Sequence, residues 1–86
     1  MYKLRFSRST EKFLAIIQKR NRRLFNRFIQ AFDNISKHPH LATSLTGNLS
    51  GYYSYRVGDY RILFEIEKQK LLVFVEKIEH RREVYK

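Results

Sequence analysis

Apolar residues in the N-terminal part of the chain first alternate and then follow a helical spacing. Residues 2–6 alternate Tyr, Leu and Phe with Lys and Arg, the period of two that is typical of a half-buried strand. Ser7 and Ser9 follow as candidate N-cap side chains. The next apolar residues have the spacing of a helical stripe, which predicts a first helix over residues 8–20: Phe13, Leu14, Ile16 and Ile17.

A basic segment at residues 19–23 interrupts this stripe before helical spacing resumes. Pro39 disfavours helical geometry at the residue before it, so the second helix should end before Pro39. Residues 38–47 contain no sustained period and are predicted to connect the helices to the rest of the chain. The two helices are expected to form an antiparallel pair, the second carrying this apolar stripe: Leu24, Phe25, Phe28, Ile29, Phe32 and Ile35.

From residue 52 the period becomes two and predicts three strands, at residues 52–57, 60–67 and 71–78. The short connections Gly58-Asp59 and Lys68-Gln69 require consecutive strands to be antiparallel, which makes a β-meander. The sequence therefore predicts an α+β fold of two layers in a single domain spanning residues 1–86. An N-terminal strand and two helices precede the antiparallel meander, and the helices pack on one face of the sheet.

A two-residue turn at Gly58-Asp59 would place Arg56 directly opposite Arg61. Alternation then gives the strands one apolar face, which the helices should cover, and one open face that includes Ser54 and both arginines. Like charges in such a cross-strand pair repel by roughly 0.2 to 1 kcal/mol, so we expect an anion between them. The alternative is a structural ion pair of Arg61 with Glu76, which a turn at residues 68–69 would place across from it.

The net charge favours nucleic acid as the partner. Eighteen Lys and Arg against eight Asp and Glu give +10, an excess that attracts polyanions. Acidic proteins and anionic membranes are the alternatives. No cysteine is present, which excludes disulfides, thiolate zinc sites and a cysteine nucleophile. With no apolar run long enough for a membrane span and no visible export signal, we expect a cytoplasmic protein.

Two further clusters are candidates for chemistry. The segment after the last strand supplies an imidazole, guanidinium groups and a phenol at His80, Arg81, Arg82 and Tyr85; it could instead be a solvated tail. Between and within the helices, a basic group either follows a phosphate backbone or is a solvated corner: Lys19, Arg20, Arg22, Arg23 and Arg27. His38-Pro39-His40 has the spacing of a metal pair but lacks a third ligand, so no metal is expected.

With these residues in view, the chain resembles the RelE/ParE superfamily of bacterial and archaeal toxin-antitoxin toxins across nearly its whole length. The resemblance is carried by Leu-Ser-Gly at 49–51, Arg-Val-Gly-Asp-Tyr-Arg at 56–61 and His-Arg-Arg-Glu-Val-Tyr at 80–85. It implies a strand, two helices and an antiparallel sheet. It also implies an antitoxin as partner, expected to be an acidic and partly disordered segment that covers the basic face and the helices.

In its RelE-like branch, the resemblance implies an endoribonuclease that needs no metal or other cofactor. Such toxins enter the ribosomal A site, where the ribose 2′-OH of the mRNA attacks the adjacent phosphate. Arg61 matches the arginine that supports this phosphate, Arg81 the arginine beyond the last strand, and Tyr85 a tyrosine proposed for stacking or proton transfer. His80 is a candidate acid or base, and substrate binding is expected at Ser54, Arg56 and Arg82.

Ser54 and Arg56 stand where lysines serve in the best-known RelE subgroup, which leaves the general base open among His80, Tyr85 and a group of the ribosomal RNA. Two other functions fit the same fold. A ParE-type toxin would inhibit DNA gyrase without cutting RNA, and a nucleic-acid-binding module would lack catalysis altogether.

Overall fold

The computed structural model describes residues 1–81 and confirms the predicted order of the main elements. Arg82 and Tyr85, both predicted site residues, lie outside the described residues. Two single turns of 3-10 helix, Pro39–Leu41 and Gly47–Leu49, flank a short strand in the connection. The helices and strands are β1 (Lys3–Phe6), α1 (Arg8–Arg20), α2 (Arg22–Lys37), β2 (Thr43–Ser44), β3 (Tyr52–Val57), β4 (Tyr60–Glu67) and β5 (Leu72–His80).

The two helices begin and end at residues with capping chemistry. Ser7 is the N-cap of α1, and its hydroxyl accepts a hydrogen bond from the Thr10 backbone N–H at 3.2 Å. Asn21 closes α1 and caps α2, accepting from the Leu24 N–H at 3.1 Å. Phe13 and Phe28, at similar distances from Asn21 along the chain, pack with ring centroids 5.6 Å apart. The two helices therefore fold back on each other as a helical hairpin.

The sheet has five strands in the order β1-β5-β4-β3-β2. The predicted antiparallel meander is confirmed for β3, β4 and β5, but the sheet as a whole is mixed because β1 pairs parallel to β5. Periodicity predicts a strand but does not encode its partner, so the pattern of residues 2–6 could not predict this pairing. The connection predicted over residues 38–47 also contains β2, whose two residues are too few to show a period.

Both helices contact the same face of the sheet, as predicted. The side chains of Phe28, Phe32 and Ile35 on α2 are buried against a set of fully or nearly fully buried strand residues: Val57, Ile62, Phe64, Val73 and Val75. Tyr53, Tyr55 and Tyr60 pack against the margin of this core. The opposite, open face carries Arg56, Arg61 and Glu65. In residues 1–81, no helix is long and apolar enough to cross a membrane.

The β4–β5 hairpin differs from the prediction in both its turn and its register. The predicted turn Lys68-Gln69 is wrong, because residues 68–71 all lie between the strands and Glu67 pairs with Leu72. Leu71 has a φ of 50°, which closes this longer turn. A second irregularity between Leu63 and Phe64 gives β5 one extra residue. Arg61 therefore faces Glu79, and the alternative pairing with Glu76 is wrong.

The extra residue of this bulge is Glu76, because Phe64 pairs with Val75 while Leu63 pairs with Lys77. An extra residue reverses which face the following side chains occupy. Ile78 accordingly joins the core face with Val75, and Glu79 lies on the open face. Ser7 is bonded to this irregularity twice: its N–H donates to the Val75 carbonyl at 3.0 Å, and its hydroxyl donates to the Glu76 carbonyl.

Candidate functional site

A groove of about 460 Å³ lies on the open face of the sheet, at the end where β3 turns into β4. Strands β2 to β5 and the Gly58-Asp59 turn all contribute to its walls. The groove has three arginines and two carboxylate residues in its lining, which consists of Thr43, Leu45, Ser54, Arg56, Gly58, Asp59, Tyr60, Arg61, Glu79 and Arg81. An anionic ligand is therefore the natural occupant of this groove.

Arg61 is held within the groove by an ion pair. Its side chain is 28% exposed, and its Nε donates a hydrogen bond of 2.8 Å to Oε1 of Glu79. The other oxygen of Glu79 lies 3.1 Å from Nζ of Lys77. Burial by itself would raise the pKa of Glu79, but the hydrogen bonds and positive charges of Arg61 and Lys77 hold that pKa below the ordinary glutamate value. Glu79 is thus a carboxylate held between two cations.

Arg56 lies directly opposite Arg61 on the open face, as the two-residue turn predicted. It is exposed, and it forms no ion pair with any residue in 1–81. Ser54, two residues earlier on the same strand, is half-buried in the groove wall. Among the described residues, the like-charged pair therefore has a counter-ion next to Arg61 alone.

Arg81 reaches the groove from the end of β5. Its backbone N–H donates a hydrogen bond of 2.6 Å to the Asp59 carbonyl, which fastens the chain after β5 to the β3–β4 turn. The Arg81 residue is exposed and lines the groove together with Arg56 and Arg61. The structure thus brings three of the predicted arginines to one groove.

His80 is directed differently from these arginines. It pairs with Tyr60 across the β4–β5 ladder, and the two rings meet edge to face with centroids 4.8 Å apart. The Tyr60 ring also packs against Phe13 and Phe28 of the helices, at 5.6 Å in both cases. His80 therefore lies on the helix-covered face, whereas Glu79, its neighbour in the chain, lies in the groove.

The basic residues of the helical corner are all exposed, and one of them contacts the β3–β4 turn. Lys19, Arg20, Arg22 and Arg23 lie around the junction of α1 and α2. Arg27 lies further along α2, where its guanidinium covers Gly58. A β-carbon at Gly58, which has a φ of +58°, would be 3.2 Å from Nη1 of Arg27. Glycine therefore permits both the turn and this close approach.

Along β4, the charge on the open face reverses away from the groove. Glu65 and Glu67 follow Arg61 on β4, and both are exposed. The negative charge of Glu65 raises the pKa of Tyr52 above the ordinary tyrosine value, with smaller contributions from burial and from Glu76. The positive charge of β4 thus lies at its groove end and the negative charge at its other end. Within residues 1–81, no three His, Cys, Asp or Glu side chains are grouped so that they could hold a metal ion.

Glu79 and Lys77 were not predicted as site residues, nor were Thr43 and Leu45 on the far wall. A signal for Glu79 exists in the sequence: apolar residues occupy odd positions at Val73 and Val75 but an even position at Ile78. This change of parity within one strand indicates a bulge between them. No comparable pattern marks Thr43 and Leu45, which reach the groove only because β2 pairs with β3.

Comparison with known proteins assigns this chain to a family. The model of the family described as ParE toxin of type II toxin-antitoxin system, parDE, matches residues 4–85. The chain belongs to this toxin family. It is accordingly a toxin of the RelE/ParE superfamily, as the sequence resemblance implied. Toxin RelG of Mycobacterium tuberculosis is 32% identical over 57 residues, which are 65% of this chain and 66% of that protein.

Solved structures extend the likeness to nearly the whole chain. The RelBE2 toxin-antitoxin complex from Mycobacterium tuberculosis contains a chain that is 27% identical, with a TM-score of 0.78 over 93% of this toxin and 98% of that chain. A YoeB/ParE toxin from Agrobacterium tumefaciens shares the fold with a TM-score of 0.79 at 18% identity, covering 91% and 96%. The archaeal RelE-RelB complex from Pyrococcus horikoshii gives 0.74 at 22% identity, covering 93% and 94%.

Proposed function

We propose that this toxin is a ribosome-dependent endoribonuclease that needs no metal and cleaves mRNA in the ribosomal A site. The observation that carries the proposal is the groove in which Arg61, held by Glu79, is accompanied by Arg56 and Arg81. Guanidinium groups match phosphate oxygens in geometry as well as in charge. The similarity to Toxin RelG and to RelE-type structures supports the same reaction class.

In the proposed reaction, the ribose 2′-OH attacks the adjacent phosphorus and the 5′-oxygen of the next nucleotide leaves. The products are a 2′,3′-cyclic phosphate and a 5′-OH. Arg61 stabilises the charge that develops on the phosphorane, because it is preorganised and partly shielded from water. Arg56 and Arg81 hold the substrate backbone, with Ser54 in the groove wall and Arg82 as a further contact.

Proton transfer in this scheme comes from outside the arginine cluster, because a guanidinium stays protonated. Tyr85 or a group of the ribosomal RNA is the donor or acceptor that the resemblance supports. His80 fills that role only if its ring leaves Tyr60, since the ring packs on the other face of the sheet. RNA phosphates beyond the groove are bound by the basic residues of the helices: Lys19, Arg20, Arg22, Arg23 and Arg27. The proposed site of action is the cytoplasm, because the ribosomes are there.

We also propose a cognate antitoxin, an acidic segment that covers the groove. The net charge of +10 and the cationic groove favour an acidic partner. The related toxins from Mycobacterium tuberculosis and Pyrococcus horikoshii were solved in complexes described as RelBE2 and RelE-RelB. An acidic peptide bound over the groove would compete directly with RNA for Arg56 and Arg61.

The decisive experiment is cleavage of message on translating ribosomes by the purified toxin and by its Arg61→Ala variant. Loss of one charge-stabilising donor should lower the cleavage rate by about 100-fold or more. Lys70→Ala is the matched control: it removes the same charge from an exposed position in the β4–β5 turn, and it should cleave at the wild-type rate. Equal rates for Arg61→Ala and the wild type would contradict the proposal.

The alternative function is inhibition of DNA gyrase without RNA cleavage, and the match to the ParE family model favours it specifically. The same preparations decide between the two. Gyrase-linked DNA breaks with intact message would establish the ParE-type activity. Binding to RNA with neither cleavage nor gyrase-linked breaks would indicate a module without catalysis.

A further inference from the structure

A carboxylate in the middle of a phosphate-binding groove calls for an explanation. Glu79 lines the groove beside Arg61, and its side chain is 15% exposed. Its negative charge opposes the binding of an anion at that position. The charge is offset because Glu79 contacts two cations, Arg61 at 2.8 Å and Lys77 at 3.1 Å. The cluster of three side chains therefore stays positive overall and can still accept a phosphate.

The particular nitrogen that Glu79 contacts is informative. A guanidinium has five N–H donors, one on Nε and four on the two terminal nitrogens. Glu79 accepts from Nε, the donor nearest the main chain. The terminal nitrogens of Arg61 form no hydrogen bond with any other residue in 1–81 that would compete with a phosphate. The contact fixes the plane of the guanidinium and leaves its two terminal nitrogens available to a phosphate.

The position of Glu79 depends on the bulge in β5. If Glu76 were paired in a regular ladder instead of forming the bulge, strict alternation from Val73 and Val75 would direct Glu79 to the helix-covered face. The bulge is bonded to the start of α1, since the Ser7 hydroxyl donates to the Glu76 carbonyl. The fold thus uses the face reversal at a bulge to bring a carboxylate to Arg61.

We propose that Glu79 is a positioning residue for Arg61, holding the guanidinium by Nε so that its terminal nitrogens face the scissile phosphate. This inference rests on the proposed RNA cleavage. It deepens that proposal by naming what orients the main charge-stabilising group. Preorganised donors stabilise a transition state without having to reorient during the reaction, and a displacement of about 1 Å can cost about 100-fold in rate.

The test compares Glu79→Ala and Glu79→Gln in the ribosome cleavage assay. The alanine variant frees the guanidinium and should lower kcat by about 10- to 100-fold, with KM within about twofold because Arg56 and Arg81 still bind the message. The glutamine variant keeps an oxygen that accepts from Nε, so it should retain kcat within about fivefold. Glu65→Gln, an exposed position on the same face away from Arg61, is the matched control and should behave as the wild type.

A double mutant tests whether Glu79 acts through Arg61. Arg61→Ala combined with Glu79→Ala should be no slower than Arg61→Ala alone, because the positioned group is already absent. An NMR signal of the Arg61 Nε–H gives a readout that does not depend on cleavage. Its exchange with water should be slow in the wild type and in Glu79→Gln, and fast in Glu79→Ala.

Three outcomes would overturn the inference while leaving the proposed function in place. One is full activity of Glu79→Ala; another is a Glu79→Gln variant as slow as the alanine variant, which would indicate a proton-transfer role. The third is a double mutant in which the two losses multiply. Failure of the proposed function is seen separately, since a wild-type toxin that leaves ribosome-bound message intact removes the reaction on which the inference rests.

Discussion

The two hairpins that share β4 bring opposite charge relationships to the same arginine. In the β3–β4 hairpin a two-residue turn and a regular ladder place Arg61 opposite Arg56. In the β4–β5 hairpin a four-residue turn and a bulge place Arg61 opposite Glu79. Arg61 therefore has a repulsive neighbour on one side and an attractive one on the other.

The comparison shows how one sheet can hold one arginine in place and leave its neighbour without a counter-ion from its own hairpin. Here the irregular hairpin supplies one counter-ion, which fixes Arg61, and the regular one withholds a counter-ion from Arg56. A phosphate bound between the two arginines would complete the set. Altering one hairpin at a time should separate these contributions.

The largest effect is expected from lengthening β5 at the bulge. An alanine inserted after Glu76 restores strict alternation between Val75 and Ile78, so the ladder should become regular with the alanine opposite Ile62 and Lys77 opposite Arg61. Replacement of Ile78 by alanine at this core position and loss of the Arg61–Glu79 contact should cost about 2 kcal/mol or more in the free energy of unfolding. Urea unfolding followed by circular dichroism measures the change.

Deletion of Glu76 is the control for that insertion. It leaves Val75 opposite Phe64 and Lys77 opposite Leu63, now in a regular ladder, so the remaining pairs keep their faces. The deletion should therefore destabilise the toxin much less than the insertion does. Equal destabilisation by the two changes would show that the register of β5 is not set by the bulge.

A smaller effect is expected when the tie between the bulge and α1 is removed. Ser7→Ala loses both the N-cap bond to Thr10 and the bond to the Glu76 carbonyl. Loss of an N-cap serine costs about 0.5 to 2 kcal/mol, and the second bond places this site toward the upper end. Ser50→Ala, which removes an exposed hydroxyl outside both contacts, is the control. Thermal unfolding that is identical for the two variants would contradict the dual role.

Unlike the changes above, removal of Arg56 from the β3–β4 hairpin should stabilise the folded toxin. Arg56→Ala relieves the repulsion with Arg61 and should raise the free energy of unfolding by about 0.2 to 1 kcal/mol at low salt. The gain should fade as salt screens the pair. Under the proposed function, the same variant should bind RNA more weakly. The slope of the logarithm of the binding constant against the logarithm of salt concentration should become smaller by about 1. A loss of stability at low salt would show that Arg56 has a structural partner.

A change of pH should have the smallest effect on stability, because it acts through one partly solvated carboxylate, that of Glu79. The pKa of Glu79 is below the ordinary value, so ionised Glu79 stabilises the folded state near neutral pH. That contribution should disappear as pH falls from the ordinary glutamate pKa through the lower pKa of the folded state. Unfolding of the wild type and of Glu79→Gln, measured from neutral to acidic pH, should converge at the acidic end. In an Arg61→Ala background the difference should be smaller throughout.

Most of the fold follows from local patterns, and the parts that do not are those set by distant contacts. The bounds of α1, β3 and β4 agree with the periodicity, and the two-residue turn Gly58-Asp59 is enough by itself to predict that Arg56 lies opposite Arg61. The register of β4 against β5 could not be obtained in the same way. It depends on a longer turn and on an extra residue that contacts Ser7, more than sixty residues away in the chain.

The candidate site was predictable to the same extent. Arg56, Arg61 and Arg81 could be assigned from charge, turn geometry and resemblance, because each is near an element end that the sequence marks. His80 and Glu79 are adjacent in the chain, and only the bulge decides which of them enters the groove. A one-residue irregularity is thus enough to exchange a histidine for a glutamate in a site.

The parallel pairing of β1 with β5 also bears on when the groove can form during synthesis. The strand at residues 3–6 is made first, yet its partner at residues 72–75 follows every other element of the sheet. A nascent chain that lacks β5 has an unpaired β1, an unfinished core and an Arg61 without its carboxylate. Because such long-range pairing forms late and as a unit, we expect the groove to appear only when synthesis of the sheet is complete. Under the proposed cleavage of ribosome-bound message, a ribosome making this toxin would then be protected from it by the order of the strands.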